Sequence, residues 1–474
     1  MKKTLILSLA LTLLFSCNTK TEKEQAQIDS NDCNCLENYH WMKETFEKND
    51  AGFEWIIQKK GEEAYQKFCD SIENEIKEAN DIYRCEEILN DWGKFFRKGH
   101  FFVASNLPAS KVANPDSVEK VNYTIQTIEV QSKQTDDRMI GVWESSPYKI
   151  GIVLDTLNPT RKYVGFIIES GVSEWTKGDV KLEIFEQDNK LSSNYYMQDR
   201  SIEKRDVHLI GGYELMIGSM NFINTSKIDN EIEKKLLDET KPLFYNFSAQ
   251  TAILKIPSFN SDQKSKIDEL IEQNREQILS HKNLIIDLRN NGGGSDKSWK
   301  ELIPFIYTNP IKNIGVELLS SELNREKFLG NFTFIQKLLL RKSIKRWESN
   351  DGKFVVVTDS VFINKMDDVL PNPENVIVVV DEICASSVEQ FLLSAKQSKK
   401  VKIYGKLTFG ALDVSNVASV TSPDRCFKLG YCLTRTLRPE KDRIDNIGIK
   451  PDVEINDSIP KHKWIEFVLN EIEK

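Results

Sequence analysis

The stretch VIVVVDEICASSVEQFLLSAKQ joins a continuous apolar run to an amphipathic helix through three small residues, Ala385-Ser386-Ser387. A serine there stands at a helix N-terminus, where free N–H groups and the positive end of the dipole favour an anion beside it. That setting suits a nucleophile with half of an oxyanion hole. The same residues would equally serve as a plain N-cap. A second stretch, LIIDLRNNGGGSDKSW, ends another apolar run in Asn290-Asn291-Gly292-Gly293-Gly294. Its glycines leave backbone N–H groups open to a phosphate or an oxyanion. No Gly-Lys-Ser/Thr follows, and the G-x-G-x-x-G spacing is absent, so nucleotide-loop readings are set aside.

These loops need strands to end in them and helices to leave from them. From residue 248 to 474 strands and helices alternate, which predicts βαβ units and an α/β domain. NLIIDLR and NVIVVVDE are apolar throughout, as expected of strands buried on both faces. Residues 310 to 350 interrupt this order, and KLLLRKSIKRW within them is basic and amphipathic. It reads as a solvated insertion helix, with a membrane-surface or substrate-covering helix as the rival. Residues 118–247 carry β-branched and aromatic runs, among them VNYTIQTIEV, KIGIVL, KYVGFIIE, VKLEIFE and VHLIGGYELMI, and read as an antiparallel β-rich domain. Gly141-x-Trp143 before KIGIV is a weak lipocalin-like signal. Residues 33–105 read as a helical subdomain, with Ile88, Leu89, Trp92, Phe95 and Phe96 at helical spacing and a stop at Gly99.

The chain has 474 residues and a net charge of −8, which argues against general nucleic-acid binding. MKK followed by the apolar LILSLALTLLF and Leu14-Phe15-Ser16-Cys17 makes residues 1–17 a lipoprotein-like signal peptide. Cys17 is then the lipidated first residue, and 18–32 is a tether. Export places the remaining cysteines where disulfides persist. Cys33, Cys35, Cys69 and Cys85 could form two bridges, and Cys426 and Cys432 could pair across a hairpin, although connectivity cannot be read from sequence. Cys33-x-Cys35 lacks zinc-site spacing, so no metal is expected.

The ordered segments DLRNNGGG, ASSVEQF, KVKIYGKLTFG and IDNIGIKPDVEI resemble the tail-specific or C-terminal processing serine peptidases and the tricorn-protease catalytic core. The resemblance covers about residues 250 to 455. It implies a ClpP/crotonase-like α/β peptidase core, a peptide or protein substrate, and no cofactor. In that family the nucleophile lies three residues before a helix-opening Glu, here Glu389, which implies Ser386. Ser387 N–H and Gly293 N–H are the implied oxyanion donors. Asp287, Arg289 and Asp452 are expected to be structural.

Where the Ser-Lys branch has a lysine after Phe-Gly, this chain has Ala411, and Lys406 lies on the wrong side of that pair. The histidine branch has a Gly-His at the end of a helical N-terminal part, which implies His100 as general base, with Lys98 where many relatives carry an acid. Asp445, before the Asn-x-Gly, is the implied orienter of the imidazole, directly or through a hydroxyl. His281, in the polar SHKN, reads as a surface residue. The expectation is a serine endopeptidase of the bacterial cell envelope, lipid-anchored and facing the periplasm or exterior. Its rival is a catalytically inactive peptide- or ligand-binding lipoprotein on the same fold. Oligomeric state is left open.

Overall fold

The computed structural model describes residues 33–79, 82–106, 118–187, 190–198, 200, 202–210, 213–218, 220–224, 235–236, 241–330 and 332–473. The signal peptide, Cys17 and the tether lie outside them.

The C-terminal α/β core is a six-stranded sheet in the order Leu243–Asn246, Thr251–Lys255, Asn283–Asp287, Asn375–Val380, Val401–Gly405, Val453–Glu454. All neighbours are parallel except the first pair. The apolar runs are explained by two cores. Leu254, Leu284, Ile286, Val376 and Val378 face one side, with Ile267, Ile271, Phe391 and Leu392 of the helices Lys264–Ser280 and Ser387–Ala395. Ile253, Ile285, Ile377 and Val379 face the other, against Trp464, Ile465 and Val468 of Trp464–Ile472. Strand side chains alternate between faces, so a strand covered on both faces must be apolar at every position.

The N-terminal helices Cys35–Asn49, Phe53–Lys60, Glu62–Ile76 and Ile82–Gly93 pack around Tyr39, Phe46, Trp92 and Phe96. They are welded to the C-terminal half rather than hung from it. Their core continues into Leu429, Tyr431 and Leu433 of the strand Phe427–Thr436. The strand Phe102–Ser105, just after His100, pairs antiparallel with that same strand, Phe102 opposite Gly430.

One bridge forms within the expected N-terminal set, and the other pairings differ from expectation. Cys33 bonds Cys426 and Cys35 bonds Cys85, while Cys69, Cys384 and Cys432 are free and buried. Cys426 immediately precedes the strand that contains Cys432. Six residues of strand separate them by about 20 Å, far beyond the ~7 Å limit for bridged Cα atoms.

The β-rich segment is a closed antiparallel barrel of eight strands from Gly141–Ser145 to Met220–Ile223, rather than a plain β-domain. Glu144 opposite Ile223 completes the ring, which removes both sheet edges. Trp143, Ile150, Leu182, Ile184, Leu215 and Phe222 fill it. Within VNYTIQTIEV the strand expectation fails, because Ile125–Gln134 is a helix. Thr124 and Thr127 form a reciprocal cap at its start, and this local cap overrides the β-branched composition. VHLIGGYELMI is two strands, Ile202–Ile210 and Glu214–Ile217.

Candidate active site

Ser386 follows the sheet strand Asn375–Val380 and caps the helix Ser387–Ala395. Its backbone sits at φ 56° and ψ −116°, a strained placement for a non-glycine residue that persists only when the surroundings enforce it. Glu389 is the main enforcer. It is fully buried, and one oxygen accepts the Ser386 N–H at 3.1 Å. The same carboxylate accepts Thr408 Oγ1 at 2.6 Å and the N–H groups of Gly410 and Ala411 at 2.8 Å. One carboxylate therefore fixes both the serine turn and the loop that follows Val401–Gly405.

The two adjacent serines are resolved by their partners. Ser387 Oγ donates within a part-buried network of Asp296 Oδ1, at 2.7 Å, and Gly294 O, at 3.0 Å. Burial raises the Asp296 carboxyl above its ordinary range. Ser386 Oγ instead faces His100, whose Nε2 is 3.1 Å away across 286 positions of sequence. His100 Nδ1 lies 2.7 Å from Val414 O. A carbonyl only accepts, so Nδ1 carries the proton and Nε2 presents its lone pair to the serine hydroxyl. Burial lowers the His100 pKa, with the Val414 bond opposing that shift and Arg97 reinforcing it, which favours the neutral imidazole, the form with a lone pair free to accept a proton.

His100 also has positive φ, 59°. Its turn is held by Arg97, which donates to the His100 carbonyl at 3.1 Å and to both oxygens of Asp50, the Oδ1 contact being 2.8 Å. Asp50 further accepts the N–H groups of Gly52, at 2.9 Å, and Cys432, at 3.0 Å. Beside this turn, Lys98 N–H donates to Asn446 Oδ1 at 2.9 Å. A Cβ on Gly99 would come within 3.0 Å of Ala411 Cβ. The position held by lysine in the Ser-Lys branch is thus packed beneath the turn that delivers the histidine.

Asp445 does not contact the imidazole, contrary to the expectation of direct or hydroxyl-borne contact. Its carboxylate accepts the N–H groups of Leu412 and Asp413, both at 2.6 Å, and of Val414, at 3.0 Å. The Val414 carbonyl then meets His100, so carboxylate and imidazole are joined through one residue of backbone. Burial and the neighbouring Asp413 push the Asp445 pKa up to about 6, against the three N–H bonds. Asp413 is itself buried, accepting from Arg438 and, at 2.8 Å, from Asp445 N–H.

The N–H groups of the two expected oxyanion donors differ in their partners. Ser387 opens its helix, so its N–H has no intrahelical acceptor. The Gly293 N–H, however, is engaged by Asn291 Oδ1 at 2.9 Å. Gly293 nonetheless has to be glycine: at φ 101° a Cβ would lie 2.6 Å from Ala385 O and 3.0 Å from Ser387 N.

Residues 250–455 match the sequence profile described as Peptidase family S41. The chain carries an S41 peptidase domain. That domain makes it an enzyme of the serine-peptidase class. The chain is 22% identical over 380 residues to a probable CtpA-like serine protease of Staphylococcus epidermidis, covering 74% of this chain and 68% of that protein. A Staphylococcus aureus protein of the same description is 24% identical over 234 residues, 48% of this chain and 38% of its own. Among solved structures, mature CPAF complexed with lactacystin aligns with a TM-score of 0.52 at 13% identity, over 93% of this chain and 97% of that one. That likeness extends beyond the S41 domain to the flanking helical and β-rich parts of the fold.

The remaining S41-domain expectations resolve locally. Asp287 and Arg289 form a buried ion pair at 2.6 Å, and Asp452 accepts the Ile403 N–H at 2.8 Å. Lys406 pairs with Asp457 at 2.5 Å. His281 is buried, not superficial, its ring nitrogens 2.6 Å from Gln277 O and 3.1 Å from Ser248 O. Arg97, Asp50 and the Val414 carbonyl escaped the sequence reading. Arg97 stands in FFRKGH, directly before Lys98. Among the described residues no cluster of His, Cys, Asp or Glu could hold a metal, and no helix is long and apolar enough to cross a membrane.

Proposed function

We propose that the chain is a serine endopeptidase of the bacterial cell envelope, acting on proteins or peptides through Ser386, His100 and Asp445. The observation that carries this reading is the 3.1 Å approach of His100 Nε2 to Ser386 Oγ, with Nδ1 committed to a carbonyl. Ser386 Oγ attacks the scissile carbonyl while its proton passes to His100 Nε2. The Ser387 N–H stabilises the resulting oxyanion, and Gly293 joins it by exchanging its Asn291 contact for that oxygen. His100 then returns the proton to the leaving amine as the C–N bond breaks. Water attacks the acyl-enzyme with His100 again as base. Asp445 acts through the Val414 peptide, holding the acceptor of Nδ1 in place and favouring the charged imidazole.

The α/β core is read as crotonase-like, on the strength of its parallel sheet covered on both faces. Envelope location is supported by the MKK and apolar run ending at Cys17, which would carry the lipid anchor, and by two disulfides, which persist in oxidising compartments.

A fluorophosphonate probe tests the mechanism. Labelling should map to Ser386, vanish in Ser386→Ala, and fall sharply in His100→Ala along with peptide hydrolysis. Full hydrolysis by Ser386→Ala would refute it. Peptide binding without labelling would instead establish the inactive binding lipoprotein.

A further inference from the structure

We propose that the helix pair Phe334–Leu339 and Arg341–Glu348, inserted in the S41 domain, docks on an anionic lipid surface. The first helix is a formed element: Thr333 Oγ1 accepts the Gln336 N–H at 3.3 Å, and the Gln336 side chain returns the bond to Thr333 N–H at 2.8 Å. It buries none of its residues. Phe334, Ile335, Leu338 and Leu339 are 82, 69, 55 and 79% exposed. Their i, i+1, i+4, i+5 spacing gathers them on one side of the helix. A contiguous apolar patch of this kind marks an interaction site rather than ordinary surface.

The second helix faces the other way and ties the pair down. Trp347 is buried against Phe328 with ring centroids 5.8 Å apart, and its carbonyl accepts Ser320 Oγ at 2.8 Å. The patch therefore stands on an anchored base.

Charge selects the occupant. Residues 331–347 contain Lys337, Arg341, Lys342, Lys345 and Arg346 and no acidic residue, in a chain whose net charge is −8. All five are exposed. Apolar side chains flanked by cations are what an interfacial helix presents to anionic headgroups. A second copy is disfavoured, because a two-fold contact through this patch would set the same cations against one another. The surface is independent of lipid at Cys17, since it consists only of residues within the folded chain.

The test is hydrogen–deuterium exchange on the full chain with phosphatidylglycerol vesicles, with phosphatidylcholine vesicles, and without lipid. Amides of 334–346 should exchange severalfold more slowly with phosphatidylglycerol than with phosphatidylcholine, while 155–162 on the barrel is unchanged. A Phe334→Ser/Leu338→Ser/Leu339→Ser variant should lose this protection, and Lys337→Glu/Arg341→Glu/Lys342→Glu should reduce it, both retaining hydrolysis of a small soluble peptide. The proposal is overturned by equal exchange on both vesicles. It is also overturned by protection that appears without lipid as protein concentration rises, which would identify a second copy, or on adding an unfolded polypeptide, which would identify a substrate-covering element. These readouts are local to 334–346, so their failure leaves the peptidase mechanism untouched.

Discussion

Asp445 reaches His100 only through Val414, whose N–H donates to the carboxylate at 3.0 Å and whose carbonyl accepts from the imidazole at 2.7 Å. The carboxylate fixes the backbone at Val414, and that backbone fixes the imidazole.

This linkage predicts a separable pH effect. The folded pKa of Asp445 is about 6, raised by burial and by Asp413, while that of His100 is lowered. Activity should therefore fall on acidification through about pH 6 as Asp445 takes up its proton. In Asp445→Asn that part of the acid limb should disappear, leaving the part that belongs to His100. The kcat loss should be on the order of 10–100-fold, smaller than that of His100→Ala, because only positioning is removed. For stability the sign is the reverse of a salt-bridged carboxylate. A raised folded pKa means that the native state retains a proton the unfolded chain releases between about pH 4 and 6. The contribution of Asp445 thus declines as pH rises through that window, and the variant should gain stability relative to the parent. Denaturant titrations at pH 4.5 and 7 would show it.

Glu389 accepts four donors from the serine turn and the loop at 408–411. Glu389→Ala leaves them buried without an acceptor, which should cost at least ~3 kcal/mol. Glu389→Gln should cost less, since one carbonyl oxygen remains. Urea midpoints give the stability. A loss of kcat in Glu389→Gln at temperatures where it is fully folded would report the strained Ser386 turn.

Ala411→Lys should not convert the site to a Ser-Lys mechanism. The new side chain must displace the Gly99–His100 turn packed above it. A displacement of about 1 Å is enough to lower kcat/KM by roughly 100-fold. The double variant with His100→Ala should show no recovery of peptide hydrolysis, whereas recovery would mean that lysine can take the proton there.

Non-reducing peptide mapping should find Cys33 joined to Cys426 and Cys35 to Cys85, with Cys69, Cys384 and Cys432 alkylated only after unfolding. The first bridge closes a loop of 393 positions between the helical subdomain and the S41 domain. Reduction should lower stability by about 2–4 kcal/mol per bridge, measured as a fall in Tm.

The sequence alone determined whatever is local or periodic. Apolar runs without alternation announced buried parallel strands, because both faces of those strands are covered by helices. The small residues between Val380 and Val388 marked the serine turn, and the resemblance to the tail-specific peptidases, through its Ser-x-x-Glu frame, pointed to Ser386 rather than Ser387. Ala411 ruled out a lysine base because alanine cannot titrate. The tertiary structure decided what depends on distant segments. The 3.1 Å contact of His100 with Ser386 joins residues 286 positions apart that lie beside strands of two different sheets. Asp50 and Arg97 act on that histidine through backbone atoms, which no side-chain pattern encodes. The same holds for Val414, whose contribution is its carbonyl. Barrel closure and the pairing of Cys33 with Cys426 were likewise settled by which surfaces meet. Side-chain chemistry is written in the chain, whereas the backbone groups that aim it acquire their partners only in three dimensions.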